Sequence, residues 1–215
     1  MAKALEIALF GATGMIGSRI AAEAARRGHQ VTAFSRNPER VPTGIANLKS
    51  AQADVTDAAS VASAARGHDV VASAYAPPMD NVALIGKATR ALVEGTRAAG
   101  VKRLVVVGGA GSLEVAPGTQ LVDTEGFPEA YKAIALAHRD VLPILRAAAD
   151  LDWTFFAPAA LIAPGERKGT FRTGAGALIV DAQGNSSISA EDYAIAFVDE
   201  LEQGRFVHQL ATAAY

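Results

Sequence analysis

The chain has 215 residues, half of them hydrophobic, and its 20 basic and 22 acidic residues leave a formal net charge of −2. This composition predicts a sizeable buried core and excludes a disordered protein, and the dispersed, balanced charge argues against nucleic acid as a partner. There is no cysteine, which excludes disulfides, thiolate metal sites and a cysteine nucleophile.

Apolar runs alternate with amphipathic stretches through the first two thirds of the chain, a pattern typical of parallel strands joined by crossover helices. In chain order we predict strands at 5–10, 30–35, 48–53, 69–74, 103–107 and 153–156. Helices are predicted at 15–27, at 57–65, from 82 to the capping Gly100, and at 129–148 with a kink at Pro143. The order predicts an α/β fold, a doubly wound parallel sheet of the Rossmann type.

After Pro158 the pattern loosens into glycine-rich segments. Short strands are predicted at 170–173 and 177–180, a helix at 193–202 and a last strand at 205–211. Ser189 to Asp192 matches a capping box ahead of that helix, with Asp in place of the usual Glu or Gln. No repeat or linker divides the chain. We expect a single domain over 1–215, in which 158–215 forms a small C-terminal elaboration on the substrate side.

A glycine-rich turn, with the sequence GATGMIG, follows the first strand directly, and the first helix begins inside it. Backbone N–H groups in such a turn bind the pyrophosphate of a dinucleotide, and side chains there would obstruct it. An ordinary strand-to-helix turn is the alternative, but strand, spacing and helix agree. We predict a dinucleotide site, which makes the chain an NAD(P)-binding domain. The predicted contacts are Gly11, Thr13, Gly14, Met15, Ile16 and Gly17.

The end of the second strand indicates which dinucleotide binds. NAD sites commonly carry an acidic residue there, about 20 residues beyond the glycines, that accepts from the ribose 2′-hydroxyl. This chain has Ser35 and Arg36 instead. Arg36 can pair bidentately with a 2′-phosphate and Ser35 can donate a further hydrogen bond. We predict NADP(H), with a merely solvated Arg36 as the alternative.

The GxxGxxG spacing resembles the atypical short-chain dehydrogenase/reductase families, and the resemblance covers nearly the whole chain. Within that group the sequence is similar to small NAD(P)H-binding proteins related to the NmrA-like regulators and to flavin/biliverdin reductases. The further segments that carry the resemblance are Asp54-Val55, 105–112, 152–158 and 188–194.

The resemblance implies further cofactor contacts. Asp54 and Val55 are expected to border the adenine, and Ala74 and Tyr75 to lie near the nicotinamide ribose. Asp54 could equally cap the helix that follows it.

Candidate catalytic residues are few. Related dehydrogenases that reduce carbonyls commonly use a Tyr and a Lys four residues apart, but here Tyr131 is followed immediately by Lys132, so the pair cannot share a helix face. Tyr131 stays a candidate, although packing of the helix against the sheet explains both it and His138 more simply. Ser112 is the other candidate, with a hydroxyl that satisfies loop backbone as its alternative.

Hydride transfer to a flavin, quinone or linear tetrapyrrole needs no dedicated acid, because the acceptor can take its proton from water. We therefore expect an NADPH-dependent reductase with a small planar acceptor as its partner. The acceptor pocket is expected at Tyr75, 77–79, Pro158 and 162–170. The alternative is a non-catalytic NADP(H) sensor that binds a protein partner. A sugar-nucleotide epimerase or dehydratase ranks last, because such enzymes are longer and keep the Tyr/Lys pair.

Other site classes and partners are not expected. The four His residues lack a suitably spaced carboxylate or second His, so no metal site is predicted. No apolar run approaches the roughly 20 residues of a membrane span, and a signal-type N-terminus is missing. We expect a cytoplasmic protein without a membrane partner.

Overall fold

Eight strands form one central sheet in the computed structural model, which describes residues 3–215. The first half comprises β1 (Glu6–Phe10), α1 (Met15–Arg26), β2 (Gln30–Ser35), β3 (Leu48–Gln52), α2 (Ala58–Ala65), β4 (Val70–Ser73), α3 (Leu84–Ala98) and β5 (Arg103–Val107). The second half comprises β6 (Glu114–Ala116), β7 (Thr119–Gln120), α4 (Glu129–Arg139), α5 (Leu142–Ala147), β8 (Asp152–Ala157), β9 (Leu161–Ala163), β10 (Arg172–Ala175), β11 (Ser187–Ser189), α6 (Ala190–Gln203) and β12 (Gln209–Ala214).

The central sheet has the strand order β3-β2-β1-β4-β5-β8-β12-β10. Every neighbouring pair is parallel except β12 and β10, which run antiparallel. The chain winds outward from β1 in one direction and from β4 in the other, so the order reverses between these two strands. The predicted doubly wound α/β fold is confirmed. In such sheets, ligands bind in the crevice at the carboxyl ends of the strands, where the order reverses.

Both faces of the sheet are covered, which explains why its inner strands are mainly apolar. Ile7 and Leu9 of β1 face a core that α1 and α6 complete, whereas Ala8 and Phe10 face a second core that α2, α3 and α5 complete. The period-2 alternation of a strand thus sends successive apolar side chains to opposite layers. None of the helices within residues 3–215 is long and apolar enough to cross a membrane.

The region predicted as one kinked helix is two helices. α4 ends at Arg139 and α5 begins at Leu142, with Pro143 in the first turn of α5. A proline in a first turn sacrifices no helical hydrogen bond, because the N–H groups there have no intrahelical partner. The prediction of a continuous helix through Pro143 is therefore wrong.

The C-terminal segments join the main sheet. β10 and β12 extend it beyond β8, and the 177–180 segment predicted as a strand contributes only an isolated bridge from Ala177 to Glu114. The last strand begins later than predicted, because residues 205–208 form a turn. Half of the predicted capping box is present: the Asp192 N–H donates to Ser189 Oγ at 3.0 Å. The reciprocal bond is missing, because the Ser189 N–H donates to the Tyr215 hydroxyl instead. A substrate-side lobe within 158–215 stays a prediction.

Candidate functional site

A groove crosses the carboxyl ends of β1, β2 and β4, at the reversal of strand order. It brings together eight of the twelve predicted cofactor contacts: Gly11, Thr13, Gly14, Ser35, Arg36, Val55, Ala74 and Tyr75. The other residues that line it are Phe10, Phe34, Asn37, Arg40, Ala53 and Ala76. The groove thus combines polar backbone groups, cationic side chains and apolar side chains.

Two glycines of the turn after β1 are required by the fold itself. Gly11 has φ +86°, and a Cβ on it would lie 2.6 Å from the carbonyl carbon and oxygen of Ala74. A Cβ on Gly17 would lie 2.1 Å from the Gly11 carbonyl oxygen. Side chains at these positions would push α1 off the turn and the turn off the end of β4.

Gly14 has a different role from its two neighbours. It has an ordinary extended conformation, with φ −84° and ψ 170°, and a Cβ there would meet only the Gly11 carbonyl oxygen at 3.6 Å. The fold therefore does not require a glycine at position 14. A side chain at 14 would instead occupy the groove that Gly14 lines, which is where a ligand would approach the backbone.

The N-terminus of α1 is open toward this groove. Gly14 is the N-cap, no side chain caps the helix, and its first turn has no acidic residue. The first N–H groups of a helix lack intrahelical partners and, together with the helix dipole, favour an anion. Met15, Ile16 and Gly17 are not among the residues that line the groove. They would contact a bound dinucleotide through their backbone N–H groups. The donor set suits a pyrophosphate.

The end of β2 adds two cations to the groove. Arg36 and Arg40 are both exposed, and neither forms an ion pair with any residue in the part of the chain that the structure describes. No carboxylate is among the residues lining the groove. Ser35 Oγ accepts the Asn37 N–H at 3.1 Å and keeps its own proton to donate. These groups suit a phosphate monoester, and an acidic residue that would bind a free ribose hydroxyl is not among them.

Asp54 lies beside the groove rather than in it. Its Oδ1 accepts the backbone N–H and the hydroxyl of Thr56, both at 2.8 Å. The Thr56 N–H bond is the main cause of the lowered pKa of Asp54, and Arg36 adds a smaller electrostatic contribution. The alternative that Asp54 caps the next helix is wrong, because Asp57 is the N-cap of α2 and accepts the Ala59 N–H. A contact between Asp54 and the adenine stays a prediction.

The two candidate catalytic residues lie outside the groove. Ser112 is fully buried, and its hydroxyl has no hydrogen-bond partner within residues 3–215, so the alternative that it satisfies loop backbone is wrong. Tyr131 is 61% exposed, in the first turn of α4, so packing against the sheet does not explain it. A catalytic role for either one is a prediction that this geometry does not by itself support.

His138, which we attributed to packing, does pack against the sheet. Its ring meets Phe155 edge-on at 6.3 Å between centroids, and a Cβ on Gly109 would approach its Cβ to 3.1 Å. It also borders a small cleft beside the groove that sequence reasoning missed. The cleft is lined by Ser73, Tyr75, Ile85, Ala88, Thr89, Leu92, Val106, Val107, His138, Val141 and Phe155. Only the glycine pair before Ala110 hints at this arrangement in the sequence, since Gly108 and Gly109 leave room for these rings.

Of the positions predicted for the acceptor, only Tyr75 lines the groove or the cleft. The loop within 162–170 is held on the N-terminus of α6. There the Gly165 N–H donates to Glu191 at 2.8 Å and the Gly169 N–H donates to Asp192 at 2.9 Å. A contact between this loop and a substrate stays a prediction.

Comparison with known proteins adds a family and several similar structures. A family model described as NAD(P)H-binding matches residues 11–203. A solved structure from Burkholderia pseudomallei, named as a candidate exported protein, is 71% identical; the match covers 98% of this chain and 100% of that one, with a TM-score of 0.91. A candidate epimerase from Bacteroides thetaiotaomicron is 40% identical over 99% and 98% of the two chains, with a TM-score of 0.92. A candidate NADH-flavin reductase from Streptococcus pneumoniae is 32% identical over 98% and 99%, with a TM-score of 0.85.

The partly buried imidazole of His138 gives a testable dependence of stability on pH. Burial lowers the pKa of His138 from 6.5 to about 4. Between pH 6.5 and about pH 4, His138 is protonated in the unfolded chain but stays neutral in the folded protein. The free energy of unfolding therefore decreases as the pH falls through this range. The loss is at most about 3 kcal/mol for this group.

Urea titrations at about pH 7 and about pH 4.5 measure the free energy of unfolding of the parent and of His138→Gln. We expect this free energy to fall between the two pH values by up to about 3 kcal/mol more in the parent than in the variant. The glutamine does not titrate, and the acidic groups shared by both proteins cancel in the comparison. Equal falls in the two proteins would contradict a His138 imidazole that stays neutral in the folded protein.

Proposed function

The chain belongs to the family of NAD(P)H-binding proteins, and from that premise we propose that it is an NADPH-dependent reductase acting on a small planar acceptor such as a flavin, a quinone or a biliverdin-like compound. The observation that carries the cofactor assignment is the glycine at position 14. The fold leaves room for a side chain there, whereas a pyrophosphate at the uncapped N-terminus of α1 would not.

Cationic side chains support the phosphorylated form of the cofactor. Arg36 and Arg40 line the groove without a carboxylate, and Arg36 follows directly on Ser35 at the end of β2. A guanidinium can pair bidentately with a 2′-phosphate, while a ribose hydroxyl offers it no charge. The apolar Ala53 and Val55 suit the adjacent adenine ring, and Ala74 and Tyr75 suit the far end of the cofactor.

When bound, NADPH would supply a hydride from its nicotinamide ring. The chain's own contribution is to hold and orient: the α1 N-terminus binds the pyrophosphate, the end of β2 binds the 2′-phosphate, and Tyr75 with the end of β4 shields the opposite end from water. Orientation of this kind accounts for much of the rate in reactions whose hard chemistry belongs to a cofactor. No side chain is required to form a covalent bond.

A reductase is supported further by the similar protein named as an NADH-flavin reductase and by the missing Tyr/Lys pair. The similar protein named as an epimerase suggests another reaction on the same fold. Here, however, the adjacent Tyr131 and Lys132 are both exposed and lie outside the groove. Reduction of a conjugated acceptor is the chemistry that needs least from these side chains.

Turnover tests this proposal directly. Purified protein is incubated with NADPH and, separately, with riboflavin, menadione and biliverdin, while the loss of reduced nicotinamide absorbance is followed. We expect turnover with at least one of them, well above a no-protein control. If the protein binds NADPH but reduces none of a broad acceptor panel, the reductase proposal is wrong and a binding-only role replaces it.

Arg36→Ala should weaken the binding of NADPH and leave the binding of NADH unchanged. A hydrogen bond to a charged group contributes about 1.5–3 kcal/mol, so we expect NADPH affinity to fall about 10- to 150-fold by calorimetry. Arg66→Ala is the matched control, because Arg66 is exposed and lies outside the groove. Equal losses for both cofactors, or a parent that prefers NADH, would overturn the 2′-phosphate assignment.

Gly14→Val should abolish cofactor binding without unfolding the protein. The extended backbone at this position accepts a branched side chain, but the added carbons would occupy the mouth of the groove. We expect NADPH affinity to fall at least about 100-fold, close to 3 kcal/mol, with an unchanged circular dichroism spectrum. Gly126→Val, in open space far along the chain, serves as the control. A folded Gly14→Val protein with parental affinity would refute the role of this glycine.

A further inference from the structure

The cleft beside the groove is mainly apolar, and the ring of His138, whose nitrogens have no partner, forms part of its wall. It lies between α3, α4 and the carboxyl ends of β4 and β5, and Tyr75 lines both the cleft and the groove. Its volume is about 20 Å³. That space admits a water molecule or a carbonyl oxygen but excludes an aromatic ring.

Two of the polar side chains in the cleft are already engaged by nearby backbone. The Thr89 hydroxyl donates to the Ile85 carbonyl oxygen at 2.9 Å, and Ser73 Oγ accepts the Tyr75 N–H at 3.3 Å. His138 differs from them, because neither ring nitrogen has a hydrogen bond to any of residues 3–215. His138 therefore offers a ligand two free ring nitrogens, and the Tyr75 hydroxyl, at the border with the groove, is the other side-chain group of the cleft without a hydrogen bond to residues 3–215.

The environment also favours one of the two neutral tautomers of His138. Nδ1 is sealed from solvent and has no partner, so a proton there would be a buried donor with nothing to accept it. An unpaired lone pair costs less than an unpaired N–H at such a site. This assigns the hydrogen of the neutral ring to Nε2. Packing of the ring against Phe155 and the backbone of Gly109 holds that orientation.

We propose that His138 is a catalytic hydrogen-bond donor whose Nε2–H binds the carbonyl or imine edge of the planar acceptor. This rests on the proposed reductase function and narrows the substrate to conjugated rings with a polar edge. The ring itself would stay in the groove, beside Tyr75, while only its oxygen or nitrogen enters the cleft. Flavins, quinones and linear tetrapyrroles all have such an edge.

The role follows from where charge develops. The acceptor gains two electrons and one proton as a hydride at a ring atom, and negative charge accumulates on the conjugated oxygen or nitrogen. A preorganised N–H at that atom stabilises the charge. Water then supplies the second proton to the acceptor, and His138 keeps its own hydrogen throughout. The reaction is balanced as acceptor plus NADPH plus one proton giving reduced acceptor and NADP⁺.

Two substitutions separate hydrogen bonding from packing. His138→Phe keeps a ring against Phe155 but removes the donor, whereas the amide nitrogen of His138→Gln can take the place of Nε2. With menadione and with riboflavin we expect kcat/KM to fall about 10- to 100-fold in His138→Phe and to return to within about fivefold of the parent in His138→Gln. NADPH affinity by calorimetry should stay within about twofold of the parent in both variants.

Two readouts do not depend on turnover. Quenching of riboflavin fluorescence by the NADP⁺-bound protein should weaken in His138→Phe and recover in His138→Gln. In parent protein with ¹⁵N-labelled histidine, the His138 spectrum should show a protonated Nε2 and a bare Nδ1, and riboflavin should shift the Nε2 signal. The spectrum tests the donor even where His138→Phe fails to fold.

Parental kcat/KM and riboflavin affinity in a folded His138→Phe protein would overturn the inference, as would a proton on Nδ1. Those outcomes leave the reductase proposal standing as long as the parent reduces the acceptor. A parent that neither binds nor reduces any acceptor would instead reject the proposed function itself.

Discussion

The seating of α1 on the turn after β1 is the contact on which the rest of the site depends. Gly17 leaves so little space above the Gly11 carbonyl that even a methyl group would collide with it, and Gly11 in turn lies against the backbone of Ala74. Two backbone-to-backbone contacts therefore connect the start of α1, the end of β1 and the end of β4. The direction of α1, and with it the aim of its N-terminal N–H groups, follows from them.

The groove and the cleft divide the chemistry between them. The groove is polar and cationic along β1 and β2, where glycine backbone and two arginines suit an extended anionic ligand. The cleft is apolar along β4 and β5, and burial there lowers the pKa of His138 to about 4, which keeps the ring neutral near neutral pH. Because Tyr75 belongs to both, this one residue borders the place where the two ligands of a reductase would meet.

The elements set by local signals could be predicted from the sequence. β2 and β5 begin and end where predicted, and α1 ends one residue early, because strand periodicity and flanking glycines act within a few residues. Most groove residues were predicted for the same reason, since they follow directly on strand ends. The break at Pro143 could not be predicted, because a break and a kink in a helix produce the same sequence pattern.

The burial of individual side chains on α4 and beside it depends on tertiary contacts and could not be predicted from the sequence. Tyr131 and His138 are seven residues apart and share a helix face, yet one is 61% exposed while the other packs on Phe155. Ala135 is the one buried residue of α4. The first turn of α4 therefore extends beyond the packed layer that its last turn joins. The burial of Ser112 likewise follows from its neighbour Gly111, which is enclosed by Ala135 and Val122. No periodicity in the chain encodes these distances.

The place of β12 in the sheet has a consequence for how the molecule is made. This strand, residues 209–214, lies between β8 and β10, and its last residues are fully buried. During synthesis, one edge of β8 therefore stays unpaired until β12 has been made. More than fifty residues separate the end of β8 at Ala157 from the start of β12 at Gln209. An unpaired strand edge is a template for other chains. A nascent chain thus passes through a period in which this edge is open to association with other chains.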